Sequence, residues 1–205
     1  MALDGFFAIF AEILLTTMRH ILLIMLCLLV LGTAKSHAQQ KNAVKITFLS
    51  WITGSTKLSY ERAFPQYKQS GELCTSLISG GYDKYKNDPM GFTLRYSHKF
   101  FVAGYDKSKP LMGFYLRPEL IYSHYNYTHS KTGLRTPVRM GALLGTFGYQ
   151  YCYKHFIADA WVGAGYSAGK TAETRYYHGF KTWNLFGKEL DNLAMSFSIR
   201  LGIVW

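Results

Sequence analysis

From Val44 to the C-terminus, apolar and polar residues alternate with a period of two, the repeat of a β-strand with two unlike faces. The helical i, i+3, i+4 repeat is nowhere sustained, and no apolar run after Leu31 approaches the ~18 residues of a membrane helix. The last segment is the clearest case. Leu193, Met195, Phe197, Ile199, Leu201, Ile203 and Trp205 alternate with Ala194, Ser196, Ser198, Arg200, Gly202 and Val204. The same split sets Phe92, Leu94 and Tyr96 against Arg95, Ser97 and Lys99, and Phe114, Leu116, Leu120 and Tyr122 against Arg117, Glu119 and Ser123. Leu58, Tyr60 and Phe64 oppose Lys57, Ser59 and Glu61, while Val44, Ile46 and Phe48 oppose Lys45 and Thr47. With segments 72–82, 138–153 and 156–169 added, eight strands are predicted.

Two segments define their faces less sharply. Gly141, Gly145 and Gly148 interrupt 138–153 and suggest a bulge or a close strand approach. In 156–169, Asp159 shares a parity with Gly163, opposite Phe156, Val162 and Tyr166, so Asp159 is expected to face inward. The connections alternate in length. Those at Pro65–Gly71, Gly104–Pro110 and Lys154–His155 are brief, whereas Asn126–Pro137 and Lys170–Asp191 are long.

The residues before the first strand follow another pattern. Arg19 and His20 precede an apolar run from Ile21 to Leu31, and small residues Ser36 and Ala38 follow. This is the three-part plan of a secretory signal, with cleavage after Ala38. Residues 1–17 are read as an upstream extension, 18–38 as the signal peptide and 39–205 as the barrel domain. A single anchor from Gly5 to Leu31 would instead hold Glu12, Arg19 and His20, charged or polar groups costing about 2 to 3 kcal/mol each near a bilayer centre.

Composition narrows the class. Hydrophobic residues make up 49% of the 205 and charged residues 17%, which excludes a disordered tail protein. Aromatics reach 17%, which favours strands. The formal net charge is +11, and it belongs to the predicted barrel, because residues 1–38 carry two basic and two acidic residues. The cationic residues are spread over alternate strand positions rather than clustered, which disfavours nucleic acid as a partner. Cys74 and Cys152 lie on distant predicted strands; an oxidising compartment would permit a disulfide between them, but their spacing does not indicate one.

Alternation by itself fits a soluble periplasmic sandwich as well as a membrane barrel, because the two differ only in which parity faces water. The secretory signal, the aromatic apolar parity, strands of about 9 to 12 residues and the alternation of short turns with long loops select an eight-stranded antiparallel up-and-down transmembrane β-barrel. Its expected place is the outer membrane of a Gram-negative bacterium, reached by the general secretory route. The terminal strand, with Phe197, Ile199, Leu201, Ile203 and Trp205, has the form of a signal for the barrel assembly machinery.

Val44–Leu49, Leu58-Ser59-Tyr60-Glu61-Arg62, Arg117-Pro118-Glu119 and Val138-Arg139-Met140-Gly141 resemble the small outer-membrane barrels of unknown function common in Bacteroidetes, which are OmpA-like or OmpX-like in architecture. The resemblance implies a barrel fold and leaves the activity open.

The expected role is structural or surface-interacting, with membrane integrity and loop-mediated binding as its two forms and no catalysis. Polar parity would bring Lys45, Lys57, Arg95, Lys99, Arg117, Arg139 and Arg200 into the interior against Glu61, Glu119 and Asp159. An eight-stranded interior is just wide enough for side chains to fill, so a salt-bridge network is expected there and an open channel is not. A narrow anion path is the porin-like alternative. A lipid A-modifying enzyme is another, with His98, His124, His129, Ser130 and His178 as its candidates. No His-x-Ser occurs in residues 39–205, and no third group is visible to orient a base. No metal or phosphate-binding spacing occurs either, so neither metal nor cofactor is expected. The binding candidate is the last long loop, with Arg175, Tyr176, Tyr177, Phe180, Lys181 and Trp183 available to contact an anionic glycolipid or glycan. Expected partners are outer-membrane lipid and lipopolysaccharide, with periplasmic chaperones and the assembly machinery during biogenesis, and a monomer is expected.

Overall fold

The computed structural model describes residues 40–48, 50, 54–79, 86–170, 177–183 and 192–205. The expected extension and signal segment, residues 1–38, lie outside them. The described strands are β1 (Asn42–Thr47), β2 (Ser55–Phe64), β3 (Gln69–Ser79), β4 (Lys86–Ala103), β5 (Gly113–His129), β6 (Arg135–Tyr153), β7 (Phe156–Lys170), a three-residue β8 (Lys181–Trp183) and β9 (Leu193–Val204). Each long strand pairs antiparallel with the next, β7 pairs with β9, and β1 returns to β9, so eight strands form a closed barrel.

The registers fix the barrel's dimensions. A row of partners starting at Val44 passes through Tyr60, Leu73, Tyr96, Leu120, Leu143 and Tyr166 to Leu193, yet the direct partner of Val44 on β9 is Ile203. The offset between Leu193 and Ile203 is the shear, ten residues. Eight strands with that shear tilt by about 40° and enclose a cylinder of about 8 Å backbone radius.

Parity follows the sequence pattern. On β5 every second residue from Gly113 to His129 is buried, and on β9 Ala194, Ser196, Arg200 and Val204 are buried while Phe197, Ile199 and Ile203 are exposed. The barrel thus turns large apolar side chains outward and buries most of its polar parity.

Three features depart from expectation. Asn126–Pro137 is not a long loop, because β5 runs to His129 and β6 begins at Arg135, leaving a short turn at 130–134. The β-favouring residues Tyr125, Tyr127 and Thr128 continue the strand beyond the point where the charge pattern fades. The glycines of β6 make no bulge, since its registers to β5 and β7 are unbroken. Gly148 instead makes room for Tyr115, whose hydroxyl would lie 2.4 Å from an added Cβ. The third departure is β8. It pairs with Leu193–Met195 on the edge of β9 whose lower part holds β1, so β8 continues the line of β1 from a distant segment.

Candidate functional site in the barrel interior

The interior has three zones. At the end that carries the short turns, Leu111 from the β4–β5 turn packs with Ala43, Ala63, Cys152, Ile157 and Val204. At the opposite end, Ile78, Ile121, Tyr125, Tyr127, Val138 and Met140 pack with Tyr177 and Phe180. Between these apolar zones lies a layer of charge.

Two lysines anchor the lower part of that layer. Lys45 Nζ donates to Glu61 Oε2 at 2.5 Å, Glu72 Oε2 at 2.5 Å and Asp159 Oδ2 at 2.8 Å. Lys99 Nζ reaches the same three carboxylates at 3.1, 3.2 and 2.7 Å and donates to Gln150 Oε1 at 2.5 Å. The remaining carboxylate oxygens are engaged too. Tyr115 donates to Asp159 Oδ1 at 2.5 Å, Ser70 donates to Glu61, and Arg200 pairs with Glu72. Although Glu61, Glu72 and Asp159 stand close enough to suggest a metal cage, the two ammonium groups already occupy the place a cation would take.

Arginines form the upper part. Glu119 forms an ion pair with Arg95 at 3.0 Å and accepts from Arg117 at 3.3 Å, and Arg117 Nε donates to Thr146 Oγ1 at 2.9 Å. Trp161 stands among them. The guanidinium carbons of Arg117 and Arg200 lie 4.3 and 4.4 Å from its ring centroid, within cation–π range. These charges are withdrawn from water on all sides, so removing one member strands its partner and costs about 3 to 5 kcal/mol.

The apolar zone opposite the short turns is completed by chain from the β7–β9 connection. Tyr177, His178 and Phe180 are buried inside the barrel. Arg95 Nη2 donates to the Gly179 carbonyl at 2.6 Å, Ser196 donates to the same oxygen at 3.1 Å, and Ser123 donates to the Tyr177 carbonyl at 2.8 Å. His178 meets the Tyr125 ring edge-on at 5.0 Å. The segment is an internal plug.

The plug corrects the loop candidate. Tyr177 and Phe180 are each 2% exposed and so cannot form an outer binding face. Lys181 is exposed, β8 carries the Trp183 backbone, and Arg175 and Tyr176 lie outside the described residues. Arg139 is a second correction. It is exposed on the outer parity, because Val138 and Met140 take the inward positions. Glu61, Arg95, Arg117, Glu119, Asp159 and Arg200 are all buried inside, together with Lys45 and Lys99, and Lys57 is half-buried.

Glu72 is a member of the cluster that sequence reasoning missed, although the signal was present. Exposed Leu73 and Leu77 put Ser70, Glu72, Cys74 and Ser76 on the inward parity. Tyr115 and Trp161 were harder to find, since large aromatics on a polar parity look like breaks in the pattern.

The histidines occupy separate places. His98 lies half-buried on the outward parity of β4 and bonds Gln69 at 3.0 Å, and His124 meets Phe92 edge-on. His129 Nδ1 lies 3.3 Å from the backbone nitrogens of Lys131 and Thr132 and so closes the β5–β6 turn. Cys74 and Cys152 are both buried and free.

The outer surface is ringed by aromatics. Phe64, Phe100, Phe114, Tyr151, Phe156 and Trp205 are exposed near the short-turn end, and Phe48, Phe92, Tyr122 and Tyr166 are exposed farther along the strands. Compared with protein-family models, curated proteins and solved structures, the chain matches none of them. Fold and interior therefore define the class: a closed eight-stranded antiparallel β-barrel whose core is an ion-pair network and whose outside is apolar.

Proposed function

We propose that this chain is an integral outer-membrane β-barrel of the small OmpA-like or OmpX-like kind, exported by a signal peptide at residues 18–38. Its role is structural, supporting the membrane and carrying surface segments, and it performs no catalysis. One observation carries the reading: the outward faces hold two aromatic rings and, between them, an apolar band in which Leu94, Leu116, Leu120, Leu143 and Val162 are exposed beside Tyr96, Phe147 and Phe197. Eight residues separate Phe92 from Phe100 and Phe114 from Tyr122, which at this tilt spans about 20 Å, near the ~25 Å apolar band of such barrels. In water this surface would be a very large apolar patch, far above what a monomeric soluble protein exposes.

The position of the outward polar residues supports the same boundary. His124, Asn126, Arg135 and Arg139 lie on outward positions beyond the second ring, where headgroups and water would meet them. Lipid and lipopolysaccharide are the partners this surface fits, and a monomer suffices, because closure leaves no long strand of the barrel without two neighbours. The C-terminal strand ending in Trp205 serves recognition by the assembly machinery.

The filled interior favours support over conduction, and histidines dispersed over the outer face, a turn and the plug favour it over catalysis. Separation of inner from outer membranes tests the reading. The protein should sediment with the outer membrane and resist extraction by urea and by high pH. Recovery in the soluble periplasmic fraction would overturn it. Planar-bilayer recordings should show no steady conductance, and replacing His98, His124, His129 and His178 should leave the lipid A mass spectrum unchanged.

A further inference from the structure

The interior charges do not cancel. In the lower cluster Lys45, Lys99 and Arg200 face Glu61, Glu72 and Asp159, three against three. In the upper cluster Arg95 and Arg117 share Glu119 alone. Among the described residues, one positive charge is therefore left over in a compartment closed at both ends by apolar packing, and half-buried Lys57 adds to the excess. An uncompensated charge in such a place is costly unless a counter-charge accompanies it.

The unpaired donors lie on Arg117 of the upper cluster, on Arg200 of the lower one and on Trp161 between them. Arg117 Nη1, Arg200 Nε and Nη2 and Trp161 Nε1 are buried with no hydrogen-bond partner. All three side chains are at most 5% exposed, and both guanidinium groups rest against the Trp161 ring. Arg95, whose guanidinium carbon is 5.9 Å from the same centroid, adds a third cation. A buried N–H is rarely left without an acceptor, and four such N–H-bearing nitrogens around one indole call for acceptor atoms of negative charge.

We propose that the barrel interior binds a single small monovalent anion of the halide class, held by the unpaired N–H groups of Arg117, Arg200 and Trp161. The anion neutralises the surplus charge and completes the hydrogen bonding of the arginine layer. The barrel thus becomes a folded protein whose stability responds to halide. The proposal goes beyond the structural role above and does not depend on the membrane in which the barrel sits.

The test uses the full chain purified in detergent, with bromide as the probe. Crystals grown in sodium bromide should show an anomalous difference peak within hydrogen-bond distance of Arg117, Arg200 or Trp161. The unfolding temperature should rise saturably with bromide or chloride, compared with gluconate at equal ionic strength. Trp161→Phe keeps an aromatic face but removes one donor, so the halide-induced rise above the variant's own unfolding temperature in gluconate should require severalfold more halide than in the parent protein. Ordered water at the site without anomalous signal would overturn the proposal. A bromide peak with no halide dependence of unfolding would mean an adventitious ion only and would overturn it too, as would a halide response with the peak elsewhere.

Discussion

Residues inside the barrel are fixed by charge matching and by space. Asp159 is 1% exposed and accepts from Lys45, Lys99 and Tyr115. Asp159→Asn should therefore cost about 3 to 5 kcal/mol in the urea-unfolding free energy of the refolded barrel. An effect below about 1 kcal/mol would mean that the interior is wet enough to screen the cluster. Space acts at Gly148, where an added Cβ would meet the Tyr115 ring at 2.5 Å and the Ala160 carbonyl at 2.6 Å. Gly148→Ala should lower stability by about 1 to 3 kcal/mol through overpacking, and Gly145→Ala, whose Cβ has 4.0 Å to its nearest neighbour, should be nearly neutral in the same assay. Much of this scale was legible in the sequence. The alternation that put Glu61 and Asp159 inside would have placed Glu72 there as well, once Leu73 and Leu77 were taken to face outward. Arg139 departs from expectation because charge by itself does not mark the interior; an exposed arginine beyond the apolar band is equally natural.

Strands and turns were legible where a strand has two unlike faces, as β4, β5 and β9 do. The plug was not. His178, Phe180 and Thr182 alternate with Gly179 and Lys181 much as a strand extension would, and no local pattern says that such a segment folds into its own barrel. What holds it is distant: Arg95 on β4, Ser123 on β5 and Ser196 on β9. If the plug closes the interior, Phe180→Asp should release it from the apolar zone while the barrel wall survives. The expected outcome is a loss of about 3 to 5 kcal/mol in unfolding free energy, together with new protease cleavage between residues 171 and 192 in intact barrels. Cleavage no faster than in the parent protein would show that this segment is held by something other than its buried aromatics. At the other end of the chain, β9 carries the assembly reading. Deleting Trp205 should reduce the amount of assembled protein in the outer membrane severalfold by immunoblot, and unchanged levels would remove that role.

The described barrel encloses an ion-pair network and turns most of its large apolar side chains outward, and the proposed membrane role rests on what that exterior meets. Val162 lies near the middle of β7, between exposed Phe156 and Tyr166, and is 55% exposed. Leu134 is 67% exposed but sits in the β5–β6 turn. In water the two sites would tolerate arginine alike. If lipid covers the band, Val162→Arg places a charge near the bilayer midplane while Leu134→Arg leaves it at the wet rim. The decisive measurement is the folding free energy of these two variants in phospholipid vesicles, beside the parent chain. The account predicts a loss of about 2 to 4 kcal/mol for Val162→Arg and less than about 1 kcal/mol for Leu134→Arg. Equal and negligible effects at both positions would contradict it, because the barrel's outer face would then be in contact with water.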